Sequence, residues 1–393
     1  MEGKVMEKKN KGTLIAAILF LGMLAGNYFQ YQLSPIAGRI IAEYGLTEPQ
    51  FSRVFTAPMV SAVLLSIVAG VLTDKLGVKK VVGVALAIAA AGLCGRIFAS
   101  GYTSLFVTMF CAGIGTTFLN VNTSKILAAY FPPEKLSGMV GIVILGSTIG
   151  MSFATATTAA FPSTRLAFIV AAVISVLAFA AWVFGMESSK RDNAGTDAGG
   201  NLIEDIKTVM KCRAIWLIGV CLMCVLGCNT ALSSFIPVAL QSKGISEASS
   251  GIAVTGLMIG SLLGTIIGPQ VVQKMSIKRP AIIVLGLLAA VTATFAWRST
   301  SIALVFILLL FAGFGMGSLL PLFMSMPVKL PEIGFRYAGT AGGVVSTIEL
   351  IGAVAIPSYI ITPIAAGNYN TYFLMTGAVM VIMAIVALFL PEV

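Results

Sequence analysis

Gly70-Val-Leu-Thr-Asp74-Lys75-Leu-Gly77-Val-Lys79-Lys80 places one acid, three lysines and two glycines in a single turn between two long apolar runs. A degenerate copy, Gln273-Lys274-Met-Ser276-Ile-Lys278-Arg279, follows at an offset of 199 residues. Each basic loop comes after the second apolar run of its half of the chain. The spacing therefore predicts a chain made of two related halves.

The composition excludes a water-soluble protein. Of the 393 residues, 58% are hydrophobic and only 10% are charged, far less charge than a soluble protein of this size needs to cover its surface. Uncharged segments of roughly 20 to 30 residues recur along the chain, and each could cross a hydrocarbon core ~30 Å thick as a helix. The composition predicts a polytopic membrane protein.

The apolar segments predict an all-α membrane protein with twelve transmembrane helices in two pseudo-symmetric six-helix bundles. The predicted spans are residues 13–38, 51–73, 80–99, 104–130, 137–161, 165–186, 213–240, 248–272, 280–298, 301–327, 338–362 and 370–390. The polar segment 187–211 has the composition of a flexible linker, and its end, 202–210, suits a short surface helix. The predicted domains are an N-terminal bundle (1–186), a cytoplasmic linker (187–212) and a C-terminal bundle (213–393).

Further pairs of residues support the duplication. Asn27 and Pro35 match Asn229 and Pro237 at an offset of 202, and Arg96 matches Arg298 at the same offset. Small residues also recur every four positions in the second span of each half, which lets two helices approach closely. These small residues are Ala62, Ser66 and Gly70 in the first half and Gly260, Gly264 and Gly268 in the second.

The formal charge of +10 reports topology rather than a nucleic-acid partner. With the N-terminus inside and the helices alternating, six of the 25 lysines and arginines lie outside and the other 19 lie inside. This asymmetry follows the positive-inside rule. We expect a multi-pass protein of the cell membrane, embedded in the lipid bilayer, with both termini cytoplasmic. The first apolar run has no cleavage site after it, which indicates a retained helix.

The loop from Gly70 to Lys80 resembles the signature of the major facilitator superfamily, G-x-x-x-D-(R/K)-x-G-(R/K)-(R/K), between its second and third helices. Val78 departs from the usual basic residue after the second glycine. The matching positions are Gly70, Asp74, Lys75, Gly77, Lys79 and Lys80. The Phe131-Pro-Pro-Glu-Lys135 exit from the fourth span is similar to family members that carry organic anions.

The resemblance implies two bundles that rock about a central cavity and expose it to each side of the membrane in turn. Helices 1, 4, 7 and 10 would line the cavity, and helices 2, 5, 8 and 11 would form the interface between the bundles. Asp74 would act in a gating loop, where it caps a neighbouring helix and pairs with a basic residue. A loop charge that only fixes topology is the alternative.

Glu349 is the sole carboxylate well inside an apolar span. An ionised carboxylate at mid-bilayer costs about 2.5–3.5 kcal/mol, so such a residue faces protein or water. Burial disfavours its charged form, which suits a site that takes up and releases a proton. A structural hydrogen bond to a neighbouring helix is the alternative.

Polar faces on three spans are the predicted lining of the cavity. Their residues would bind a substrate by hydrogen bonds or, alternatively, bond neighbouring helices to one another. The predicted lining residues are Asn27, Gln30, Tyr31, Asn120, Ser124, Lys125, Asn229 and Ser233. Arg96 and Arg298 are predicted to pair with an anion, or else to snorkel to the membrane surface from the outer ends of their helices.

The sequence indicates no metal, cofactor or catalytic site. The chain has no His, and Cys221, Cys224 and Cys228 share one helix face, which favours packed free thiols. It also lacks a Walker-type phosphate-binding motif, which argues against a pump driven by ATP. We therefore expect no cofactor and no enzymatic activity.

The predicted function is secondary transport of a small organic solute. The favoured solute is an organic anion such as a carboxylate, taken up with protons by a monomeric protein. One alternative is a proton-driven exporter of drugs or lipophilic cations, in which Glu349 meets the cation. The other is a membrane receptor or scaffold that kept the fold and lost transport.

Overall fold

The computed structural model describes residues 2–186, 202–273, 279–334 and 337–391. All regular secondary structure in this part of the chain is helical. Twelve of its helices are long and apolar enough to cross a membrane. The predicted fold class is therefore confirmed, and the twelve helices coincide with the twelve predicted spans apart from their ends.

Seven α-helices of the described chain precede the linker. They are α1 (Glu2–Tyr31), α2 (Ala37–Glu43), α3 (Glu48–Leu76), α4 (Val78–Arg96), α5 (Tyr102–Tyr130), α6 (Pro133–Thr157) and α7 (Thr164–Gly185). A 3₁₀ turn, Thr158–Ala160, follows α6. All of these helices except the short α2 correspond to predicted spans.

Eight α-helices of the described chain follow residue 201. They are α8 (Leu202–Lys211), α9 (Arg213–Gln241), α10 (Glu247–Gln273), α11 (Arg279–Ala296), α12 (Ile302–Lys329), α13 (Ala338–Ala355), α14 (Thr362–Ala365) and α15 (Tyr369–Ala387). α8 is the short helix expected at 202–210. Residues 187–201 of the predicted linker lie outside the described residues.

The chain forms two compact units. Unit one contains Met1–Leu33, Ala42–Leu46 and Ala57–Asp197, and unit two contains Ser34–Ile41, Thr47–Thr56 and Ala198–Val393. Two short pieces of the N-terminal half are thus packed within unit two. The division into bundles at the linker remains a prediction.

Helix pairs inside the two units correspond. In unit one, α1 packs on α6 and α7, and α4 packs on α5 and α7. In unit two, α9 packs on α13 and α15, and α11 packs on α12 and α15. Each pair in one unit has the same place in chain order as its counterpart in the other, as expected for a duplicated chain.

Glycines set the closest helix contacts in unit two. A Cβ at Gly260 would collide with Leu310 O, and one at Gly264 would collide with Phe314 O. α10 therefore lies directly on the backbone of α12, as small residues in membrane helices permit. By contrast, no described atom lies within 4 Å of a Cβ built on Gly70 of α3.

Two predicted spans are interrupted at prolines. The span predicted at 13–38 stops as a helix at Tyr31 and resumes at Ala37, because Pro35 has no N–H and disfavours helical conformation in Ser34. The span predicted at 338–362 changes to a π-helical stretch, Ile356–Ile361, at Pro357. An extra residue per turn absorbs the missing hydrogen bond there.

Candidate functional site

The predicted lining residues of unit one lie on two adjoining helices, α1 and α5. Gly22 and Gly26 allow close approach, since a Cβ at these positions would fall 2.5 Å from Leu119 Cδ2 and 2.7 Å from Thr116 Oγ1. These contacts run in opposite directions along the two helices, so Asn27 lies near the level of Thr116, whereas Ser124 and Lys125 lie beyond Leu119, toward the start of α1. The structure therefore places the α1 and α5 lining residues at different levels of one helix pair.

α5 presents an exposed polar face beside this contact. Asn120, Ser124 and Lys125 are all exposed, although they lie within the membrane-spanning segment Tyr102–Tyr130. Neighbouring Asn122 is instead buried, where its Oδ1 accepts from Thr73 Oγ1 at 2.8 Å. Asn120, Ser124 and Lys125 are thus exposed on α5, whereas Asn122 joins α5 to α3.

The α1 residues are less accessible. Gln30 and Tyr31 are buried, and Asn27 is half-buried. The Asn27 amide donates to Met23 O at 2.9 Å, which leaves its side-chain oxygen as the group available to a solute.

Arg96, the last residue of α4, is fully buried in unit one. It donates to Phe29 O at 3.1 Å. The main chain does not supply a donor to Phe29 O, because Leu33 N donates to Gln30 O instead, at 3.3 Å. Arg96 therefore supplies a donor where the helix stops before Pro35.

Other groups of unit one complete the surroundings of Arg96. Gln32, with its carboxamide oriented to satisfy both neighbours, accepts from Arg96 and donates to Ala167 O at 3.0 Å. The guanidinium carbon lies 4.3 Å from the centre of the Phe168 ring. Arg96 Nε has no acceptor among the described residues. Snorkelling to the surface, expected as one alternative, is therefore not what this side chain does.

Arg298, at the matching position of unit two, is exposed. It donates to Asn370 Oδ1 at 3.1 Å, and its guanidinium carbon lies 4.8 Å from the centre of the Phe295 ring. Nearby, burial and then the charge of Arg298 lower the pKa of Lys243. Arg298 behaves as a residue at a helix end, in line with the snorkelling alternative.

The predicted α9 residues are bonded within unit two. Asn229 Nδ2 lies 3.4 Å from Ser261 Oγ on α10, and Ser233 Oγ donates to Asn229 O at 2.7 Å. Pro237 has no N–H to give to Ser233 O, and Ser34 Oγ donates to that carbonyl instead. Ser233 is fully buried, so Asn229 is the more accessible of the two.

Glu349 is only 6% exposed, on the segment of α13 that packs against α9. Gly219 and Gly352 permit this packing, because a Cβ at Gly219 would fall 2.7 Å from Ile348 Cδ1 and one at Gly352 would meet Met223. Within the described part of the chain, Glu349 has no ion pair or hydrogen bond. A buried carboxylate without a partner is suited to change its protonation state.

The predicted gating loop joins α3 to α4. Gly77 adopts φ +85°, which favours glycine, and its N–H donates to Thr73 O at 3.1 Å. Lys79 O accepts from Trp182 Nε1 at 3.1 Å, which fixes the start of α4 on α7. The side chain of Asp74 and residues 274–278 of the second loop lie outside the described residues.

Sequence reasoning missed a polar cluster in unit two. Ser358 Oγ lies 2.8 Å from Ser52 Oγ and 3.0 Å from Thr56 Oγ1, and all three side chains are buried. Arg39 and Glu247 form an ion pair in the same unit. No local signal could have found these contacts, because the partners are separated by 208 residues in the ion pair and by more than 300 in the hydroxyl cluster.

The described residues contain no group of three or more side chains suited to hold a metal ion. The six cysteines are free thiols. Cys221 and Cys228 direct their sulfur atoms at carbonyls of α15, with Cys228 Sγ 3.2 Å from Thr376 O. They serve the packing of α9, as the sequence indicated.

The apolar helices and their polar faces define a multi-pass membrane protein. The chain belongs to the Major Facilitator Superfamily, whose family model matches residues 14–357. It is a transporter, and transporters of this family are not enzymes. The predicted family is confirmed.

Two relatives span nearly the whole chain. The "Nitrite extrusion protein" of Bacillus subtilis is 22% identical over 94% of this chain and 92% of its own length. The "Probable sulfoacetate transporter SauU" of Cupriavidus necator is 24% identical over 95% of this chain and 93% of its own. A solved structure of the nucleoside transporter NupG is 13% identical and covers 96% of this chain and 100% of its own, with a TM-score of 0.81, and it shows the fold.

Proposed function

We propose that this chain is a secondary transporter that takes up a small organic anion together with protons by alternating access. The main observation in support is the exposed polar face of α5, where Asn120, Ser124 and Lys125 lie within a membrane-spanning segment. Hydrocarbon does not solvate such groups, so this face borders water or solute. Lys125 offers a positive charge to a carboxylate or sulfonate, and the other two offer hydrogen bonds.

The relatives support an anionic solute. Nitrite and sulfoacetate, after which the two relatives are named, are both anions. Their solutes differ in size and composition, so the shared property is the negative charge. An anion crossing a low-dielectric region needs a compensating cation, and Lys125 is a cation on an exposed face inside a span.

Arg96 and Arg298 remain predicted anion-pairing residues, but they differ in how accessible they are to an anion. The buried Arg96 already donates to Phe29 O and Gln32, so its main role is to stabilise unit one. Arg298 is exposed and bonds a neutral amide, which a passing anion could displace.

Glu349 is the proposed proton carrier. It is buried and unpaired within the described chain, so protonation removes the cost of a buried charge. The same observation favours one competing function, a proton-driven exporter of lipophilic cations, in which a cation would replace the proton on Glu349. The membrane in question is the cell membrane, with both termini cytoplasmic and the protein acting as a monomer.

Thermal unfolding of the purified full-length protein tests solute class. Sulfoacetate and simple carboxylates would be compared with sugars, amino acids and lipophilic cations at two pH values. A ligand at 100 times its dissociation constant stabilises the native state by about 2.7 kcal/mol. We expect stabilisation by anions, stronger at low pH because protonated Glu349 accompanies the anion.

Lysine variants make this test specific. Lys125→Gln should abolish the anion shift, whereas Lys135→Gln removes an exposed lysine from the start of α6 and should leave it unchanged. Stabilisation by cations alone, stronger at high pH, would contradict the proposal and favour the exporter. An equal loss in both variants would show that general surface charge, not a site at Lys125, governs binding.

A further inference from the structure

A cavity of about 550 Å³ lies in unit two, apart from every predicted transport residue. It opens where α9 begins and where α12 and α15 end. These are ends of three membrane-spanning helices, so the cavity lies at the level where lipid headgroups meet the protein.

Two cations line this cavity. Lys211 and Arg213 both have exposed side chains, and neither has an ion pair or side-chain hydrogen bond anywhere in the described chain. Glu332 supplies the opposite charge, so the lining carries two positive charges and one negative charge.

Glu332 also lies close to Cys212. Burial raises the pKa of the Cys212 thiol, and a hydrogen bond to the Glu332 carboxylate raises it further. The Glu332 carboxylate thus lies near the Cys212 thiol, and within the described chain it forms no ion pair with Lys211 or Arg213. A net positive cavity remains.

Apolar surface continues from the cavity. Leu217 and Phe389 line it, and Phe389 is 64% exposed. Trp216 precedes Leu217 in the chain, and its Nε1 donates to Met210 O at 2.8 Å while both side chains are exposed. Tryptophan at the end of a span is typical of the membrane interface.

We propose that this cavity binds an anionic phospholipid. Its phosphate would interact with Lys211 and Arg213, and an acyl chain would follow Leu217 and Phe389 into the membrane. Basic pockets between transmembrane helices suit such headgroups. A soluble anion would use the charges alone and leave the exposed apolar surface beside them without a partner, which is why a lipid fits the site better.

Native mass spectrometry of the full-length protein would count lipid bound from equimolar phosphatidylglycerol, phosphatidylethanolamine and phosphatidylcholine. We expect phosphatidylglycerol adducts to dominate and to fall at least fivefold in the Lys211→Gln/Arg213→Gln variant. The matched control is Lys207→Gln/Lys329→Gln, which removes two exposed cations from the same end of unit two without touching the cavity. The control should bind like the wild type.

A third variant gives a change of opposite sign. Glu332→Gln removes a negative charge that would repel the lipid phosphate. It should therefore increase phosphatidylglycerol binding, a result that poor folding cannot produce. An equal loss of phosphatidylglycerol binding in the double variant and in its control would overturn the proposed site. It would show that the lipid responds to the overall surface charge. Equal binding of phosphatidylcholine, or displacement of the lipid by millimolar inorganic phosphate, would overturn a lipid-specific site.

Discussion

The two halves of the molecule carry the same residues at equivalent positions and use them differently. Pro35 and Pro237 are 202 residues apart, yet α1 ends before the first proline and α9 runs through the second to Gln241. Each proline is associated with a main-chain carbonyl that its helix does not satisfy. In unit one this carbonyl is Phe29 O, and in unit two it is Ser233 O.

The two matched arginines have different surroundings. Arg96 is drawn into the interior because a helix break exposes Phe29 O to it. In unit two the residue that matches Phe29 is Ala231, whose carbonyl accepts from Tyr372 Oη at 3.2 Å, and Arg298 instead stays exposed beside Asn370. Matching residues in a duplicated chain therefore need not have matching roles.

Replacing the two matched arginines should show the largest difference between the halves. Arg96→Met leaves Phe29 O and the side-chain oxygen of Gln32 buried without a donor, so we expect a loss of about 3 kcal/mol in unfolding free energy. Arg298→Met should change it by no more than about 0.5 kcal/mol, as for a surface residue. Unfolding in sodium dodecyl sulfate measures both variants. Equal effects would show that the buried contacts of Arg96 contribute nothing.

The glycine stripes should also respond unequally. Gly260→Ala adds a methyl group against Leu310 O and should cost about 1–3 kcal/mol by overpacking. Gly70→Ala meets no described atom and should be neutral or stabilise its helix by up to about 1 kcal/mol. The same denaturation assay measures both. If Gly70→Ala were as costly as Gly260→Ala, the result would contradict the open space beside Gly70 in α3.

A double-mutant cycle tests the smallest effect, at Ser233 O. Ser34→Ala removes the hydroxyl donor and should cost about 1 kcal/mol. Pro237→Ala restores a backbone N–H to the same carbonyl, so Ser34→Ala should cost clearly less in that background. Additive changes would mean that the Ser34 hydroxyl does not compensate for the proline.

The fold was predictable from the sequence because its signals are local. Each span is a continuous apolar run, and the Gly70–Lys80 loop and its degenerate copy mark the duplication without any long-range information. The helix interruptions at Pro35 and Pro357 were less predictable. Pro237 shows that a proline inside a span leaves the helix continuous when another donor takes the freed carbonyl.

The site was predictable only in part. The helical period placed Asn120 and Ser124 on one face of the fourth span, and Asn122 and Lys125 on the adjoining face. It could not tell that Asn122 is the buried one, because that depends on Thr73 of another helix. Nor could it place Arg96 in the interior, since the acceptors that hold it there come from α1 and from the segment that follows it.

Uptake of labelled sulfoacetate into proteoliposomes tests the proposed transport most directly. We expect an imposed proton gradient to drive accumulation by the wild type, with Lys125→Gln reducing uptake at least tenfold. Glu349→Gln should abolish gradient-driven uptake while exchange of internal for external sulfoacetate continues. Anion flux that ignores the gradient, or no flux of any tested anion alongside export of a lipophilic cation, would contradict proton-coupled anion transport.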